Sequence, residues 1–232
     1  MTLNILSFLT SGYMFSILAR ILVLFTCIPV HECAHGWMAH RLGDDTAKNQ
    51  GRLNLNPFTH LDLIGTLSLV LFGIGWAKPV PVNPFNFRGN RKRGMALTAA
   101  AGPAANVVLA FVILIIYKIF YIICGVFHLW TADLAVILTQ ILGIMVTTNI
   151  SLAVFNLLPV NPLDGSRIIG VFLPDKIYYK LIEYERYIYF AVILLLFTGV
   201  LDRPISFVAG YVFKGLNFLT SFIDVLAGVL LR

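Results

Sequence analysis

Two histidines and a glutamate lie within five residues of one another in the motif His31-Glu32-Cys33-Ala34-His35. On an α-helix, side chains four residues apart are separated by about 40° around the axis, so these two imidazoles project side by side. Such a pair binds zinc, and the acid between them can reach a water molecule that the metal activates. The motif therefore predicts a zinc site in which Glu32 reaches a water held on the metal. The alternative is a pair of polar histidines at a helix end that faces lipid headgroups.

The composition is that of an integral membrane protein. Of the 232 residues, 59% are hydrophobic and only 12% are charged, and the mean hydropathy is +0.86, whereas a soluble domain carries about 25% charged residues. The net charge of +6 does not indicate a nucleic-acid partner, because the basic residues of the stretch 78–94 lack an aromatic-rich basic module around them. The cysteines, Cys27, Cys33 and Cys124, provide no disulfide framework.

Six apolar segments predict an all-α, polytopic helical bundle with about five to six membrane segments in a single domain of residues 1–232. The segments are 13–30 (continuing as helix to Arg41, with a stop at Gly43), 61–77, 95–117, 134–158, 187–201 and 205–231. The second is short and bounded by prolines, so both a crossing and a re-entrant segment stay open. We expect residues 13–170 to form the catalytic core and residues 171–232 to add the C-terminal membrane segments.

The distribution of basic residues predicts the orientation. The stretch 78–94 holds five basic and no acidic residues, which places it in the cytoplasm by the positive-inside rule. The segment 134–158 then returns to the cytoplasmic side, where more basic residues follow it. If 61–77 is re-entrant, His31 and His35 approach the same side. We therefore expect a multi-pass protein of the cell membrane whose metal site lies toward the cytoplasm.

A catalytic zinc usually takes three protein ligands and leaves a fourth position for water. Asp164, in Asn161-Pro162-Leu163-Asp164-Gly165, is the best candidate because it lies on the expected side. Pro159 and Pro162 break the helix there, and broken backbone at membrane depth is tolerated only inside protein or around a wet cavity. The alternative is an interfacial aspartate in a turn before Gly165.

These motifs resemble those of the site-2 protease family, the intramembrane zinc metalloproteases of peptidase family M50. The segment 31–35 matches the family's metal-binding helix, and the segment 161–165 matches its second motif. The segments 51–57 and 75–84 resemble a compact bacterial and archaeal branch. No stretch is long or polar enough for the PDZ or CBS domain of many relatives, so we expect the form without them.

The resemblance implies one zinc ion held by His31, His35 and Asp164, with Glu32 as the catalytic acid/base. It also implies that Asn156, eight residues before the metal-binding aspartate, contacts the substrate. Asn156 has a competing role as an interhelical hydrogen-bond partner. Asn149, seven residues earlier on nearly the same helix face, is expected to be structural.

The expected activity is hydrolysis of peptide bonds in or near a transmembrane helix of a membrane-protein substrate in the lipid bilayer. Residues 78–87 suggest a small strand-like element near the membrane face, which could pair with an unwound substrate by strand addition, or else a plain loop. Two other functions stay open: a membrane transporter or metal carrier, and a catalytically inactive relative that only binds membrane proteins. The substrate and the oligomeric state are not indicated.

Overall fold

A computed structural model describes residues 12–72 and 75–231. The α-helices in these ranges are α1 (Gly12–Arg41), α2 (Thr46–Asn49), α3 (Pro57–His60), α4 (Leu63–Phe72), α5 (Arg91–Val126), α6 (Asp133–Asn156), α7 (Asp164–Gly170), α8 (Asp175–Glu183), α9 (Glu185–Phe197), α10 (Asp202–Leu219) and α11 (Ser221–Leu230). Single 3₁₀ turns occupy Pro84–Asn86 and Leu129–Thr131. The all-helical fold class is confirmed.

The first helix ends where the sequence predicts. Helix α1 runs to Arg41, and Gly43 follows with a φ of +106°, a left-handed conformation that glycine adopts without a steric penalty. The Gly43 amide donates to the carbonyl of His40 at 3.0 Å, which closes the last turn. The chain can therefore reverse directly after the helix that carries the histidine pair.

Helix α5 is the central element of the bundle, packing against α1, α6 and α7. It begins four residues before the predicted start, because the Asn90 side chain accepts a hydrogen bond from the Arg93 amide at 3.0 Å and caps the helix. Its apolar core contacts join it to α6 and α10. The buried residues of this core are Ala110, Ile113, Leu114, Val146, Ile150, Val154 and Leu216.

The prediction of five to six membrane segments is not confirmed in the part of the chain that the structure describes. Three helices are long and apolar enough to cross a bilayer: Arg20–Arg41 within α1, α5 and α6. The pair α10 and α11, bent by 57°, is a fourth if it counts as one span. Helix α9 has only 13 residues, about 20 Å against a hydrocarbon core of about 30 Å.

The apolar segment 61–77 does not form a membrane-crossing helix. Its helix, α4, has ten residues, and Leu61 and Ala77 at the two ends of the segment pair in an isolated antiparallel bridge. Residues 73 and 74 lie outside the described residues. Because its two ends meet, the chain returns to the side from which it left, which is the geometry of the re-entrant alternative.

The strand-like element predicted for residues 78–87 is not confirmed. Between residues 75 and 87 the described chain forms neither α-helix nor strand, apart from the bridge at Ala77 and the 3₁₀ turn at Pro84–Asn86. The alternation of Val80 and Val82 resembles a strand, but three prolines in this stretch have no N–H to donate to a ladder. The amides of Val80 and Asn83 donate to the side chains of Glu32 and Asp44 instead.

Candidate functional site

The structure brings the three predicted metal ligands together. Nε2 of His31 lies 3.0 Å from Nε2 of His35. Oδ2 of Asp164 lies 3.2 Å from Nε2 of His31 and 3.3 Å from Nε2 of His35. His31 and His35 lie four residues apart on α1. Asp164 is the first residue of α7, which packs on α5.

These three atoms fit a zinc ion. Around a tetrahedral zinc with bonds of about 2.0–2.1 Å, ligand atoms lie about 3.3 Å apart, close to the three observed separations. Oδ2 of Asp164 is buried and has no hydrogen bond in proper geometry, so it is an acceptor available for a cation. Two imidazoles and a carboxylate are also the donor set of known catalytic zinc sites.

The Nδ1 atoms of both imidazoles have partners on α5. Nδ1 of His35 lies 2.7 Å from the carbonyl oxygen of Thr98, so Nδ1–H donates to it and leaves Nε2 as the free ligand atom. Nδ1 of His31 lies 3.2 Å from the side-chain amide of Asn106, which is fully buried. The central helix thus orients both rings.

Gly102 on α5 makes room for the two rings. A Cβ at this position would lie 2.4 Å from Nε2 of His35 and 2.7 Å from Cε1 of His31, closer than side-chain atoms approach. The small-residue run that begins at Ala99 therefore brings the central helix against the imidazoles, as its composition predicts for close helix packing.

Glu32 faces the same cavity and has one backbone partner. Its Oε2 accepts a hydrogen bond from the Val80 amide at 2.9 Å. The cavity, of about 180 Å³, is lined by the three ligand residues and Glu32 together with Pro79, Val80, Val82, Asn156 and Arg167. The cavity therefore brings the Glu32 carboxylate next to the three ligand residues and leaves open space beside them.

Asp164 is held in its ionised form. Burial raises the pKa of its carboxyl group, but the imidazoles of His31 and His35 beside it lower the pKa further, to about 2. At neutral pH the group is a carboxylate, which is the protonation state that binds a metal.

The two asparagines of α6 differ in their surroundings. Asn149 is fully buried and donates hydrogen bonds to Sγ of Cys27 on α1 at 3.0 Å and to the carbonyl of Met145, so its structural role is confirmed. Asn156 lines the cavity and donates to the carbonyl of Leu152 on its own helix at 3.0 Å. The Asn156 hydrogen bond lies within α6, whereas the alternative role predicted from the sequence is a hydrogen bond between helices.

Sequence reasoning did not identify Thr98, Gly102, Asn106 or Val80 as part of the site. For Asn106 a signal exists, because a polar side chain inside an apolar membrane helix usually has a specific partner. Thr98 and Val80 contribute backbone atoms, which no residue-type pattern reveals. Gly102 is part of the small-residue run, but its partner side chain could not be deduced from composition.

Comparison with known proteins identifies the family. The model of peptidase family M50 matches residues 19–198. The chain is 41% identical over 182 residues to "Putative zinc metalloprotease YwhC" of Bacillus subtilis (strain 168), an alignment covering 77% of this chain and 79% of that protein. It is 30% identical over 181 residues to "Putative zinc metalloprotease Rip2" of Mycolicibacterium smegmatis, covering 75% and 64%. No solved structure matches the chain. The chain belongs to peptidase family M50, the site-2 protease family, and is an integral membrane zinc metalloprotease.

Proposed function

We propose that this metalloprotease is an endopeptidase that hydrolyses peptide bonds in or near the transmembrane helices of membrane proteins, with one zinc ion per chain. His31, His35 and Asp164 hold the zinc, Glu32 is the acid/base, and Asn156 contacts the substrate. The observation that carries this proposal is the convergence of the three ligand atoms, within 3.0–3.3 Å of one another, on the cavity that Glu32 also lines.

The protein residues divide the chemistry among them. Zinc, when bound, polarises the scissile carbonyl and lowers the pKa of a water molecule. Glu32 takes a proton from the attacking water and returns it to the leaving amine nitrogen. The Val80 amide supports this role, because its hydrogen bond holds one carboxylate oxygen of Glu32 and leaves the other for the proton transfer. Thr98 and Asn106 keep the imidazoles in orientation.

For the His31 ring, this assignment implies a proton on Nδ1. With Nε2 directed at the metal, Nδ1–H donates to the Asn106 side chain, which then presents Oδ1 toward the ring. Rotation of the amide by 180° exchanges its oxygen and nitrogen at nearly the same positions. The 3.2 Å contact and the complete burial of Asn106 support this arrangement.

A membrane-embedded substrate and a cytoplasmic orientation are part of the proposal. The two histidines and the partners of their rings lie on helices that are long and apolar enough to cross a membrane, α1 and α5. Pro79, Val80 and Val82, which line the cavity, lie in the stretch 78–94, whose basic residues indicate the cytoplasmic side of the cell membrane. A helical substrate must unwind before its backbone reaches Glu32. Residues 13–170 form the catalytic core of one domain, and residues 171–232 extend it.

The alternative of a metal carrier is not favoured. The two relatives are named as metalloproteases, and a carrier does not need an acid such as Glu32 beside the metal ligands. A binding-only relative is disfavoured because the ligand and acid positions are filled and converge on one cavity.

The test compares the parent protein with Glu32→Gln after purification and reconstitution into liposomes. The substrates are single-span fusion proteins whose transmembrane helices carry helix-weakening Asn and Gly-Pro residues. We expect one zinc per chain in both proteins, cleavage within or beside the helix by the parent, and a loss of about 10²–10⁴-fold in Glu32→Gln.

Glu183→Gln, an exposed position on α8, is the matched control and should cleave as the parent does. Equal cleavage by Glu32→Gln and the parent would overturn the mechanism. Zinc uptake into the liposomes without cleavage would support the carrier, and cleavage of an unfolded soluble peptide alone would argue against a membrane substrate.

A further inference from the structure

The loop that lines one wall of the cavity, residues 78–86 (the cleft loop), is held by side chains from outside it. It contains Pro79, Pro81 and Pro84, which have no amide hydrogen, and residues 78–83 form neither helix nor strand. A segment with so few donors cannot hold its own position through backbone ladders. Its place beside the site therefore depends on the groups that bind it.

Asp44 binds the C-terminal part of the cleft loop. Its side chain is fully buried directly after α1. Oδ2 accepts a hydrogen bond from the Asn83 amide at 2.7 Å, and Oδ1 accepts one from Nδ2 of Asn86 at 2.8 Å. The amide and hydroxyl of Thr46 also donate to Oδ1. One carboxylate thus joins α2 to the end of the loop, and charge-assisted bonds of this kind are strong.

Arg52 binds the opposite end of the cleft loop. Its Nη2 donates to the carbonyl oxygen of Lys78 at 2.8 Å and lies 3.4 Å from that of Pro79. The guanidinium group therefore anchors the loop where it leaves the re-entrant segment. Asp44 and Arg52 together hold the two ends with opposite charges.

Between these two anchors the loop contacts Glu32. The Val80 amide donates to Oε2 of Glu32, and the Val80 side chain is buried against α1. Gly36 leaves the space for it, since a Cβ there would lie 3.2 Å from Cγ1 of Val80. The position of the loop and the orientation of the glutamate are thus linked by one hydrogen bond.

We propose that Asp44 and Arg52 are positioning residues for peptide hydrolysis: they hold the cleft loop so that the Val80 amide meets Glu32 and the substrate cleft is preformed. This inference rests on the proposed role of Glu32. Neither residue touches the metal ligands in the described contacts, so their loss should leave zinc binding unchanged while it displaces both the acid/base and one wall of the cleft.

The test measures zinc content, steady-state cleavage and amide hydrogen exchange of the full chain in the parent, Asp44→Ala and Arg52→Ala. The segment 79–84 has amide hydrogens only at Val80, Val82 and Asn83, so exchange there reports directly on the anchored loop. We expect faster exchange at Val80, a kcat/KM lower by about tenfold or more, and a KM raised about threefold, with zinc content as in the parent. A merely unstable variant would lose kcat at unchanged KM.

The matched controls are Asp45→Ala and Lys48→Ala, neighbouring exposed charges that should behave as the parent. If Asp44→Ala does not fold, Asn86→Ala removes one donor to the same carboxylate and should produce a smaller shift in the same direction, and Arg52→Lys should rescue part of the Arg52→Ala defect. Unchanged exchange at Val80 in the folded variants overturns the anchoring. Faster exchange with parental kcat and KM overturns its catalytic role. A parent without peptidase activity instead overturns the proposed function.

Discussion

Gly102 faces His35 so closely that a Cβ at position 102 would lie 2.4 Å from Nε2 of the imidazole. The glycine therefore determines where the ring can lie, although it contributes no chemical group. The same nitrogen of His35 lies 3.3 Å from Oδ2 of Asp164. Nε2 of His35 is therefore close both to the α5 backbone at Gly102 and to the carboxylate of Asp164.

We predict that Gly102→Ala displaces the imidazoles and abolishes zinc binding and cleavage. The added methyl group meets ring atoms of both histidines, and α5 cannot retreat without opening the packed core. Zinc per chain, measured on the purified variant, checks this. Gly143→Ala is the control, because its Cβ would meet only Tyr117 at an ordinary 3.9 Å. Full zinc content in Gly102→Ala would contradict the prediction.

Asn106→Leu should weaken zinc binding about 10–100-fold, because the Nδ1–H of His31 loses its buried partner. Competition with a chelator of known affinity measures the change. Asn217→Leu, at an exposed position of α10, should bind zinc as the parent does. An unaltered affinity in Asn106→Leu would show that the buried amide does not orient the ring.

Asn156→Ala should lower kcat/KM about tenfold while zinc content stays at the parental level. The side chain lines the cavity beside Pro162 and Asp164, and the hydrogen bond it makes within its own helix is not needed to hold the metal. The readout is cleavage of a single-span substrate at several concentrations. A parental kcat/KM would remove Asn156 from the substrate contacts.

The carboxylate of Asp44 should make the stability of the protein depend on pH. Burial raises the pKa of this group, but hydrogen bonds from Thr46, Asn83 and Asn86 lower the pKa below its ordinary value. A lowered folded-state pKa means that its stabilisation is complete above the ordinary aspartate pKa of about 4 and is lost as the pH falls through the folded value.

We therefore expect Asp44→Asn to lower the free energy of unfolding by about 2 kcal/mol at pH 7 and to flatten the decline of this free energy as the pH falls below about 4. Thermal unfolding in detergent across this range measures both effects. Glu183→Gln, at an exposed position of α8, is the control, and equal acid dependence in Asp44→Asn and the parent would contradict the assignment.

The ion pair between Lys118 and Asp224 should stabilise the packing of α11 on α5. The Lys118 side chain is buried, and its Nζ contacts Oδ2 of the half-exposed Asp224. Removing only the carboxylate, in Asp224→Leu, leaves Lys118 with the carbonyl of Thr220 at 3.4 Å and should cost about 1–2 kcal/mol of unfolding free energy. The double variant Lys118→Met/Asp224→Leu should recover most of this loss. No recovery in thermal unfolding would show that the two residues act separately.

The local part of the site could be predicted from the sequence, whereas the contacts between distant segments could not. His31, Glu32 and His35 follow from helical spacing alone, and Asp164 from a break in an apolar run. Thr98 contacts a histidine that is 63 positions away along the chain, and Asn106 contacts one that is 75 positions away. Composition does not indicate which residues meet across such separations.

The parts of the fold prediction that are not confirmed also depend on contacts between distant segments. Apolar composition predicts membrane depth but does not distinguish a crossing from a short helix whose ends meet, as at Leu61 and Ala77. The alternation of Val80 and Val82 resembles a strand, but a strand needs a partner edge. The amides of Val80 and Asn83 bind the side chains of Glu32 and Asp44 instead. Asp224 is a charged residue in the last apolar segment, and composition does not reveal that it pairs with Lys118 on α5.

Helix α5 has 36 residues and is about 54 Å long, whereas the hydrocarbon layer of a bilayer is about 30 Å thick. Even a strongly tilted rod of this length must emerge into the headgroup region. Its charged end begins at Arg91, and Thr98, Gly102 and Asn106 all lie within about 22 Å of that end. We expect the overhang to lie at this charged end, where it would give the reactant water a short route to the ligand residues without a path through the centre of the lipid layer.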